Sequence, residues 1–352
     1  MIPRRTPRPT SNLRPHRLPR WRRLLAEAVS DPVELCALLD LSPEDVGLAA
    51  KDAGFPLRVP RGFVDRMEAG NPRDPLLLQV LPVRREHHAA PGYGQDPLAE
   101  IGSGPAPGVL HKYRHRALLT LTGACAVHCR YCFRRHFPYV EHGIGRAAWK
   151  EAVAYLAGDP SIHEVILSGG DPLSLPDERL ADLAEELAAI PHLQRLRVHT
   201  RLPVVLPERV DDALLDWLAG ADRRLQPVVV IHANHPREID DEVSQALQGV
   251  RQRGITLLNQ SVLLRGVNDH TDTLSELSER LFESGVLPYY LHLLDPVDGA
   301  AHFDVPEAEG QGLVAAMAAR LPGYLVPRLV REVPGARTKV PVDLHRAFLQ
   351  ES

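Results

Sequence analysis

From about residue 117 onward, short apolar runs alternate with amphipathic stretches, and this alternation constrains the fold more than any other sequence feature. The predicted strands span residues 117–122, 164–168, 195–200, 227–233, 256–264 and 288–294. The predicted helices between them span residues 147–157, 177–189, 208–219, 239–253 and 271–284. Strands that alternate with helices pair in parallel, either in an open doubly wound sheet or in a barrel. The fold class is therefore predicted to be α/β.

Polar residues gather where the predicted strands end. They are Ser168, Thr200, Asn234, Gln260 and Asp295. Barrel enzymes place their chemistry at the carboxyl ends of parallel strands. We therefore expect these side chains to face one active site.

The residues before the alternating strands and helices have a different composition. Residues 1–23 hold eight arginines, no acidic residue and five prolines. This composition predicts a disordered basic tail, with an RNA- or ribosome-touching arm as the alternative. Residues 24–105 are predicted to be an N-terminal helical segment that wraps the rest of the chain. The predicted helices near this end span residues 21–29, 31–39 and 42–53.

The overall charge and the apolar runs limit the partners. The chain has 41 basic and 45 acidic residues, a net charge of −4, which argues against nucleic-acid binding by the chain as a whole. The N-terminal residues lack the apolar run of a secretory signal, and we expect no contact with a membrane. The sequence is predicted to be that of a cytosolic protein.

Three of the four cysteines crowd into eight residues. Cys125, Cys129 and Cys132 form C-x3-C-x2-C directly after the first predicted strand. Three thiolates on one loop can hold three irons of a [4Fe–4S] cluster and leave the fourth iron open to an outside ligand. A zinc site is the alternative, and it would recruit a fourth ligand such as His128 or His136. Cys36, in a predicted helix, is interpreted as a small buried apolar residue.

The C-x3-C-x2-C loop resembles that of the radical S-adenosylmethionine (SAM) superfamily. The second strand supports the resemblance, because it runs into the turn S-G-G-D at 168–171. The superfamily fold implies a partial (β/α)6 TIM barrel and a [4Fe–4S] cluster that binds SAM. By the same resemblance, Ser168, Gly169, Gly170 and Asp171 contact the amino group of SAM.

Lysine is rare in this chain. Lys51, Lys112, Lys150 and Lys339 are its four lysines, against 37 arginines, so a pyridoxal 5′-phosphate (PLP) Schiff base would have to use one of them. Lys51 and Lys150 lie in predicted helices, and Lys112 lies in a basic and aromatic cluster suited to a phosphate. Lys339 lies in a loop that could equally be an exposed turn.

Several segments, in order, resemble the lysine 2,3-aminomutase family. They are H-K-Y-R-H-R at 111–116, C-R-Y-C-F-R-R at 129–135, H-T-R-L-P-V-V-L-P at 199–207, H-A-N-H-P-R-E at 232–238, N-Q-S-V-L-L-R-G-V-N-D at 259–269 and P-Y-Y-L-H-L-L-D at 288–295. The branch that makes (R)-β-lysine for elongation factor P is resembled further through D-P-L-L-x-Q-V-L at 74–81, G-A-A-H-F at 299–303 and G-Y-L-V-P at 323–327. The resemblance implies a partial barrel over residues 106–305 and a C-terminal helix with a PLP-binding segment over residues 306–352.

The family resemblance also implies roles for individual residues. Lys339 would form the PLP Schiff base, and Lys112, Tyr113 and Arg116 would hold the PLP phosphate. Arg134 would bind the substrate carboxylate, Asp295 and Glu332 its far ammonium, and His232 and Gln260 would line the SAM pocket. His232 and His235 could instead be core histidines, and Asp295 could cap a turn.

The implied partners are a lysine substrate, elongation factor P with its β-lysine ligase, and a reductant such as flavodoxin. Rival predictions are a free-lysine or other amino acid 2,3-aminomutase and, more distantly, a zinc-stabilised RNA-binding protein. Two departures from the family's free-lysine enzymes stand out. No cysteine follows Cys132, so a homo-oligomer would need an interface without zinc. Glu332 stands where those enzymes have a shorter aspartate.

Overall fold

A computed structural model describes residues 18–49, 54–139, 146–220, 224–345 and 347. These residues form a nine-stranded sheet in which the strands follow one another in chain order. The strands are β1 (Val109–Tyr113), β2 (Arg116–Thr120), β3 (Glu164–Ser168), β4 (Arg195–Thr200), β5 (Gln226–Ile231), β6 (Thr256–Val262), β7 (Leu287–His292), β8 (Arg328–Arg331) and β9 (Val340–Pro341).

In the described residues, four α-helices precede β1 and the others lie in the connections between the parallel strands. The helices are α1 (Arg20–Ala26), α2 (Pro32–Leu38), α3 (Arg61–Val64), α4 (Pro75–Leu78), α5 (Arg146–Gly158), α6 (Asp177–Ala188), α7 (Leu202–Val205), α8 (Asp212–Ala219), α9 (Asp241–Gln252), α10 (Thr271–Glu283) and α11 (Glu307–Ala318). Within the described ranges, none of the helices has the length and apolar character needed to cross a membrane.

The sheet is parallel from β2 to β8, and an antiparallel strand lies at each edge. β1 pairs with β2 and β9 pairs with β8 in the antiparallel sense. Helical crossovers join the parallel strands, as in a barrel, so the carboxyl ends of those strands meet on one side. The structure therefore confirms the predicted α/β class and partial barrel.

Local sequence explains the individual elements. All five residues of β3, which read E-V-I-L-S, are buried, as expected for a strand covered on both faces. Helix α9 begins where the Asp240 side chain accepts a hydrogen bond from the Val243 backbone N–H at 2.9 Å. Its buried residues Val243, Leu247 and Val250 recur at helical spacing and face the sheet.

The sequence predicted β3 and β4 at their observed bounds and the other four barrel strands to within two residues at either end. Residues 50–53 lie outside the described part of the chain, and over residues 42–49 the helix predicted at 42–53 is wrong. The chain turns there, and Leu48 bridges to Val83, because the wrapping segment pairs with itself instead of continuing a helix. The helix predicted at 208–219 begins at Asp212, after a short 3₁₀ turn.

The N-terminal segment packs directly on the barrel. The predicted tail boundary at residue 23 is wrong, because Arg20–Ala26 forms α1 and Trp21 is only 1 % exposed. The guanidinium of Arg209 lies 4.6 Å from the centre of the Trp21 ring. The remainder of the predicted tail, residues 1–17, lies outside the described residues.

The C-terminal segment that was predicted from residue 306 shares the sheet and the core. Helix α11 packs Val314 and Met317 against Leu263 and Leu291 of the barrel, together with Leu329 of β8. The segment therefore continues the barrel beyond the six strands that the sequence predicted.

Candidate active site

One cavity of about 330 Å³ is lined by every residue that the family resemblance assigned to the site. Asn234, which was expected at the same strand ends, does not line this cavity: it is buried, and its side-chain N–H groups donate to Gln79 and Tyr131. Strand ends and the loops that follow them contribute most of its lining. The predicted residues in it are Lys112, Tyr113, Arg116, Cys125, Cys129, Cys132, Arg134, Ser168, Gly169, Gly170, Asp171, His232, Gln260, Asp295, Glu332 and Lys339. Segments that are far apart in the chain therefore meet at one place.

The cysteine loop follows β2 and lies against the glycine turn after β3. The Gly170 N–H donates to Thr122 O at 2.6 Å, and the Asp171 N–H donates to Ala124 O at 2.8 Å. A Cβ at Gly170 would lie 2.5 Å from Ala124 O, which is closer than real Cβ atoms approach. Glycine is therefore required there, because the two backbones touch.

The three thiols lie close enough to affect each other's ionisation. Burial and the neighbouring sulfurs of Cys129 and Cys132 raise the pKa of Cys125, and burial together with Cys129 raises the pKa of Cys132 to about 11. In the described part of the chain, no three metal-binding side chains converge closely enough for a single metal ion. In a cubane cluster each cysteine would bind a different iron, so the three sulfurs need not converge on a single metal ion.

Each histidine that could have completed a zinc site has one ring nitrogen hydrogen bonded to a backbone oxygen, and His128 lines the same cavity as the cysteines. The His128 ring is hydrogen bonded through Nδ1 to Pro56 O at 2.9 Å, and the exposed His136 ring contacts Asp298 O at 3.2 Å. Neither backbone oxygen belongs to the cysteine loop.

Asp171 has a structural role that differs from the predicted one. Its carboxylate accepts hydrogen bonds from the Thr200 hydroxyl and from the backbone N–H groups of Leu173, Arg201 and Leu202, at 2.8 to 3.1 Å. These bonds fill its acceptor positions, so the side chain is not free for an amino group. It fixes the end of β4 beside the cavity.

His232 is a satisfied buried histidine that also lines the cavity. Its Nε2 lies 2.8 Å from the Tyr131 hydroxyl, and its ring hydrogen bonds to the backbone of Gln260. Burial, helped by the nearby Arg201, lowers the pKa of His232 to about 3, so the ring is neutral. His235 does not line this cavity and caps a short turn by accepting from the Arg237 N–H.

The acidic part of the cavity surrounds Lys339. Lys339 Nζ donates to Glu332, and Glu332 also accepts a hydrogen bond from the Tyr113 hydroxyl at 2.6 Å. Burial and the neighbouring Glu332 raise the pKa of Asp295 to about 7, although Lys339 acts in the opposite direction. Of the other lysines, Lys112 lines the same cavity, Lys150 is exposed on α5, and Lys51 lies outside the described residues.

Sequence reasoning missed a carboxylate that links two of the predicted residues. Glu100 lies 2.9 Å from Lys112 Nζ and 2.7 Å from Arg134 Nε. Arg134 Nη1 also donates to Ser168 Oγ at 3.2 Å. Residues 96–104 carry no periodic pattern, so no sequence signal pointed to Glu100.

Two buried histidines in the cavity also escaped prediction. His199 Nε2 and His292 Nε2 have no hydrogen-bond partner among the described residues, and both side chains line the cavity. Burial is the main cause that lowers the pKa of both rings, so they are neutral. A polar ligand in the cavity would satisfy these two nitrogens.

Comparison with known proteins agrees with this geometry. The profile of the Radical SAM superfamily, whose members bind SAM at a [4Fe–4S] cluster, matches residues 119–277. The chain is 51 % identical over 326 residues to the L-lysine 2,3-aminomutase of Escherichia coli (strain K12), covering 92 % of this chain and 94 % of that protein. The L-lysine 2,3-aminomutase of Haemophilus influenzae is 49 % identical, with coverages of 91 % and 94 %. That of Clostridium subterminale is 34 % identical, with coverages of 92 % and 77 %. This protein therefore belongs to the L-lysine 2,3-aminomutase family, a family of isomerases within the radical SAM superfamily.

Proposed function

We propose that this protein is a PLP-dependent lysine 2,3-aminomutase that converts (S)-α-lysine to (R)-β-lysine. The observation that carries the proposal is one cavity that contains both the cysteine trio and a lysine flanked by acidic side chains. The lysine is Lys339, and the acidic side chains are Asp295 and Glu332. Radical generation and amino-group chemistry would therefore share one space.

Cys125, Cys129 and Cys132 would hold the [4Fe–4S] cluster. Burial raises the pKa of the Cys125 and Cys132 thiols, so these two side chains would carry a thiolate charge at neutral pH when a cation such as iron binds them. The glycine turn at 169–170 exposes bare backbone beside the loop, where SAM would bind together with Ser168, His232 and Gln260. With an electron from a reductant, SAM bound at the cluster would supply a carbon radical able to abstract a hydrogen atom.

Lys339 would hold PLP covalently, and Lys112, Tyr113 and Arg116 would hold its phosphate. The Arg116 guanidinium lies 4.4 Å from the centre of the Tyr113 ring inside the cavity. The two unpartnered histidine nitrogens described above support a polar ring ligand near Lys339. PLP held there would supply a π system for amino-group migration.

The chain's own charges would orient the substrate. Arg134 is 7 % exposed and is fixed by Glu100 and Ser168, so its planar fork is preorganised for a carboxylate. Asp295 and Glu332 would bind the far ammonium. Fixing both ends of lysine presents one Cβ hydrogen to the radical, and the surrounding apolar side chains exclude water.

Anaerobically reconstituted enzyme with SAM, PLP, dithionite and lysine tests the proposal. β-Lysine and 5′-deoxyadenosine should form, and glutamate and alanine should not turn over. Lys339→Ala should lose the PLP absorbance and keep the iron–sulfur absorbance. Lys150→Ala is the control, because Lys150 is exposed on α5, and it should keep both absorbances.

Two results would contradict the proposal. Turnover of glutamate without turnover of lysine would contradict the roles of Asp295 and Glu332. Retention of the PLP absorbance in Lys339→Ala, together with its loss in Lys112→Ala, would move the cofactor attachment to Lys112.

The cellular use of the product is part of the same proposal. The segments at 74–81, 299–303 and 323–327 resemble the branch that serves elongation factor P, which supports a role in supplying its ligase with β-lysine. Incubation of the enzyme with α-lysine, that ligase and elongation factor P should modify the factor with β-lysine. Equal labelling by the ligase when the aminomutase is omitted would overturn this role. A flavodoxin would replace dithionite as the electron donor.

A further inference from the structure

Arg201 contacts the sulfur of one of the three cysteines from the side of β4. It follows the last residue of β4, is 6 % exposed, and its Nη1 donates to Cys129 Sγ at 2.8 Å. Arg201 lies 72 residues further along the chain than Cys129, so the fold brings this charge to the cysteine loop. No role was assigned to Arg201 by the sequence.

The rest of the guanidinium is fixed by a buried network. Arg201 Nη2 donates to Gln79 Oε1 at 2.6 Å and to Glu238 Oε2 at 2.8 Å. The guanidinium carbon also lies 5.8 Å from the centre of the Tyr131 ring. Because these partners come from three separate segments, the direction of the N–H group toward the sulfur is set by the fold.

We propose that Arg201 is a positioning residue that sets the reduction potential of the [4Fe–4S] cluster through the Cys129 sulfur. Reduction adds one electron to the cluster, and a buried cation that donates to a ligand sulfur stabilises the added charge. Hydrogen bonds to the sulfurs and the local net charge are the protein's established means of tuning such potentials. The inference rests on the proposed cysteine ligation.

Glu238 sets the strength of this effect. It is fully buried, and besides Arg201 it accepts hydrogen bonds from Gln79 Nε2 and from the backbone N–H groups of Asn234 and His235. Its negative charge partly neutralises Arg201. Removing the Glu238 charge should therefore affect the cluster in the opposite direction from removing the Arg201 charge.

The test is the midpoint potential of the cluster in anaerobically reconstituted holoenzyme, titrated with dithionite and followed by electron paramagnetic resonance. Arg201→Met should make the midpoint potential more negative by about 59 mV. For one electron, this shift corresponds to about a tenfold change in the equilibrium constant of reduction. Arg201→Lys, which keeps the charge but loses the fork, should shift the potential less. Glu238→Gln should make the potential more positive.

Opposite shifts separate electrostatic tuning from mere damage, because disorder around the cluster would move both variants in the same direction. Arg280→Met is the charge-matched control, since Arg280 pairs with Glu276 on the exposed face of α10, and its potential should equal that of the unmodified enzyme. An unchanged potential in Arg201→Met, or equal directions in Arg201→Met and Glu238→Gln, would overturn the inference. Absence of a cluster from the unmodified enzyme would instead overturn the proposed cysteine ligation.

Should Arg201→Met fail to retain iron, Arg201→Lys and Glu238→Gln still decide the question. Iron and sulfide content per chain, measured on each sample, identifies that case. A shift of Arg201→Lys toward more positive potential would then count against the inference.

Discussion

Asp295 is proposed to bind the far ammonium of the substrate and has a pKa near neutral pH, so we predict that substrate binding depends on pH. Burial and Glu332 raise its pKa to about 7, so the side chain is neutral below that pH and anionic above it. An ammonium group binds the anion more strongly. We predict that KM for lysine falls about fivefold or more from pH 6 to pH 8, as the ionised fraction rises. Steady-state kinetics over this range measure it.

The control for this pH dependence is Asp295→Asn, which has no group to titrate at that position. Its KM should be high and should change little over the same pH range. A falling KM profile in Asp295→Asn, parallel to that of the unmodified enzyme, would assign the pH dependence to another group.

Glu100 stabilises the two cations that lie on either side of it. Burial raises its pKa, but Arg134 and Lys112 outweigh burial, and the net pKa is below the ordinary value. Glu100→Gln leaves a buried guanidinium without its counter-charge, so we predict a loss of about 3 kcal/mol in the free energy of unfolding. Glu34→Gln breaks an exposed pair with Arg61 and should cost less than about 1 kcal/mol. Urea denaturation compares the two variants, and equal small losses would contradict this role.

The residues that sequence could identify are those in compact motifs. The cysteines lie within eight residues and the glycine turn within four, so their spacing is visible in one window. Glu100 lies 34 residues from Arg134, and Gln79 lies 122 residues from Arg201. Ion pairs and hydrogen bonds at such separations depend on how the chain folds back, and no local pattern encodes them.

At the scale of elements, contact between the β3 glycine turn and the cysteine loop governs cluster binding. In Gly170→Ala the new Cβ would lie 2.5 Å from Ala124 O and 2.9 Å from Ala124 C, and backbone cannot rotate away as a side chain can. We predict that this variant folds but binds substantially less iron and sulfide per chain after reconstitution. Circular dichroism and iron analysis measure the two properties.

Gly249→Ala is the matched control on α9. A Cβ there meets no atom within 4 Å, and alanine favours a helix over glycine by up to about 1 kcal/mol. This variant should retain full iron content and unfold at a higher urea concentration. Equal iron content in the two variants would show that the loop tolerates displacement at Gly170.

The strands that were predicted are those inside the repeated strand–helix pattern, whereas the antiparallel edge strand β1, although it has five residues, was missed. β3 and β4 have five and six residues in a repeated strand–helix pattern, which the sequence displays clearly. β8 and β9 have only four and two residues, and β9 is recognisable only by its pairing of Val340 with Arg331. Such short strands form because a neighbour is already in place, so they were not predicted.

On the scale of the whole molecule, the wrapping segment and the barrel share one hydrophobic core. Trp21, Leu35 and Phe63 belong to the same buried cluster as Leu180 and Val243 of the barrel helices. The sequence suggested a boundary near residue 105 because a proline-rich composition is followed there by the regular alternation of strands and helices. The residue composition along the chain indicates local structure, whereas the shared core depends on packing between segments that are distant in the sequence.

This shared core predicts that damage in the wrapping segment destabilises the barrel. Trp21→Ala removes a side chain that is 1 % exposed and should lower the free energy of unfolding by about 3 to 5 kcal/mol. Trp149 and Trp217 lie on barrel helices α5 and α8, so their fluorescence follows the unfolding of the barrel in urea. This transition should move to a lower urea concentration, by the amount that corresponds to the lost free energy of unfolding. Leu38→Ala, at a 47 % exposed position of the same segment, should change the free energy by less than about 0.5 kcal/mol. An unshifted fluorescence transition in Trp21→Ala would show that the barrel is stable without the wrapping segment, because only a shared core transmits the loss to α5 and α8.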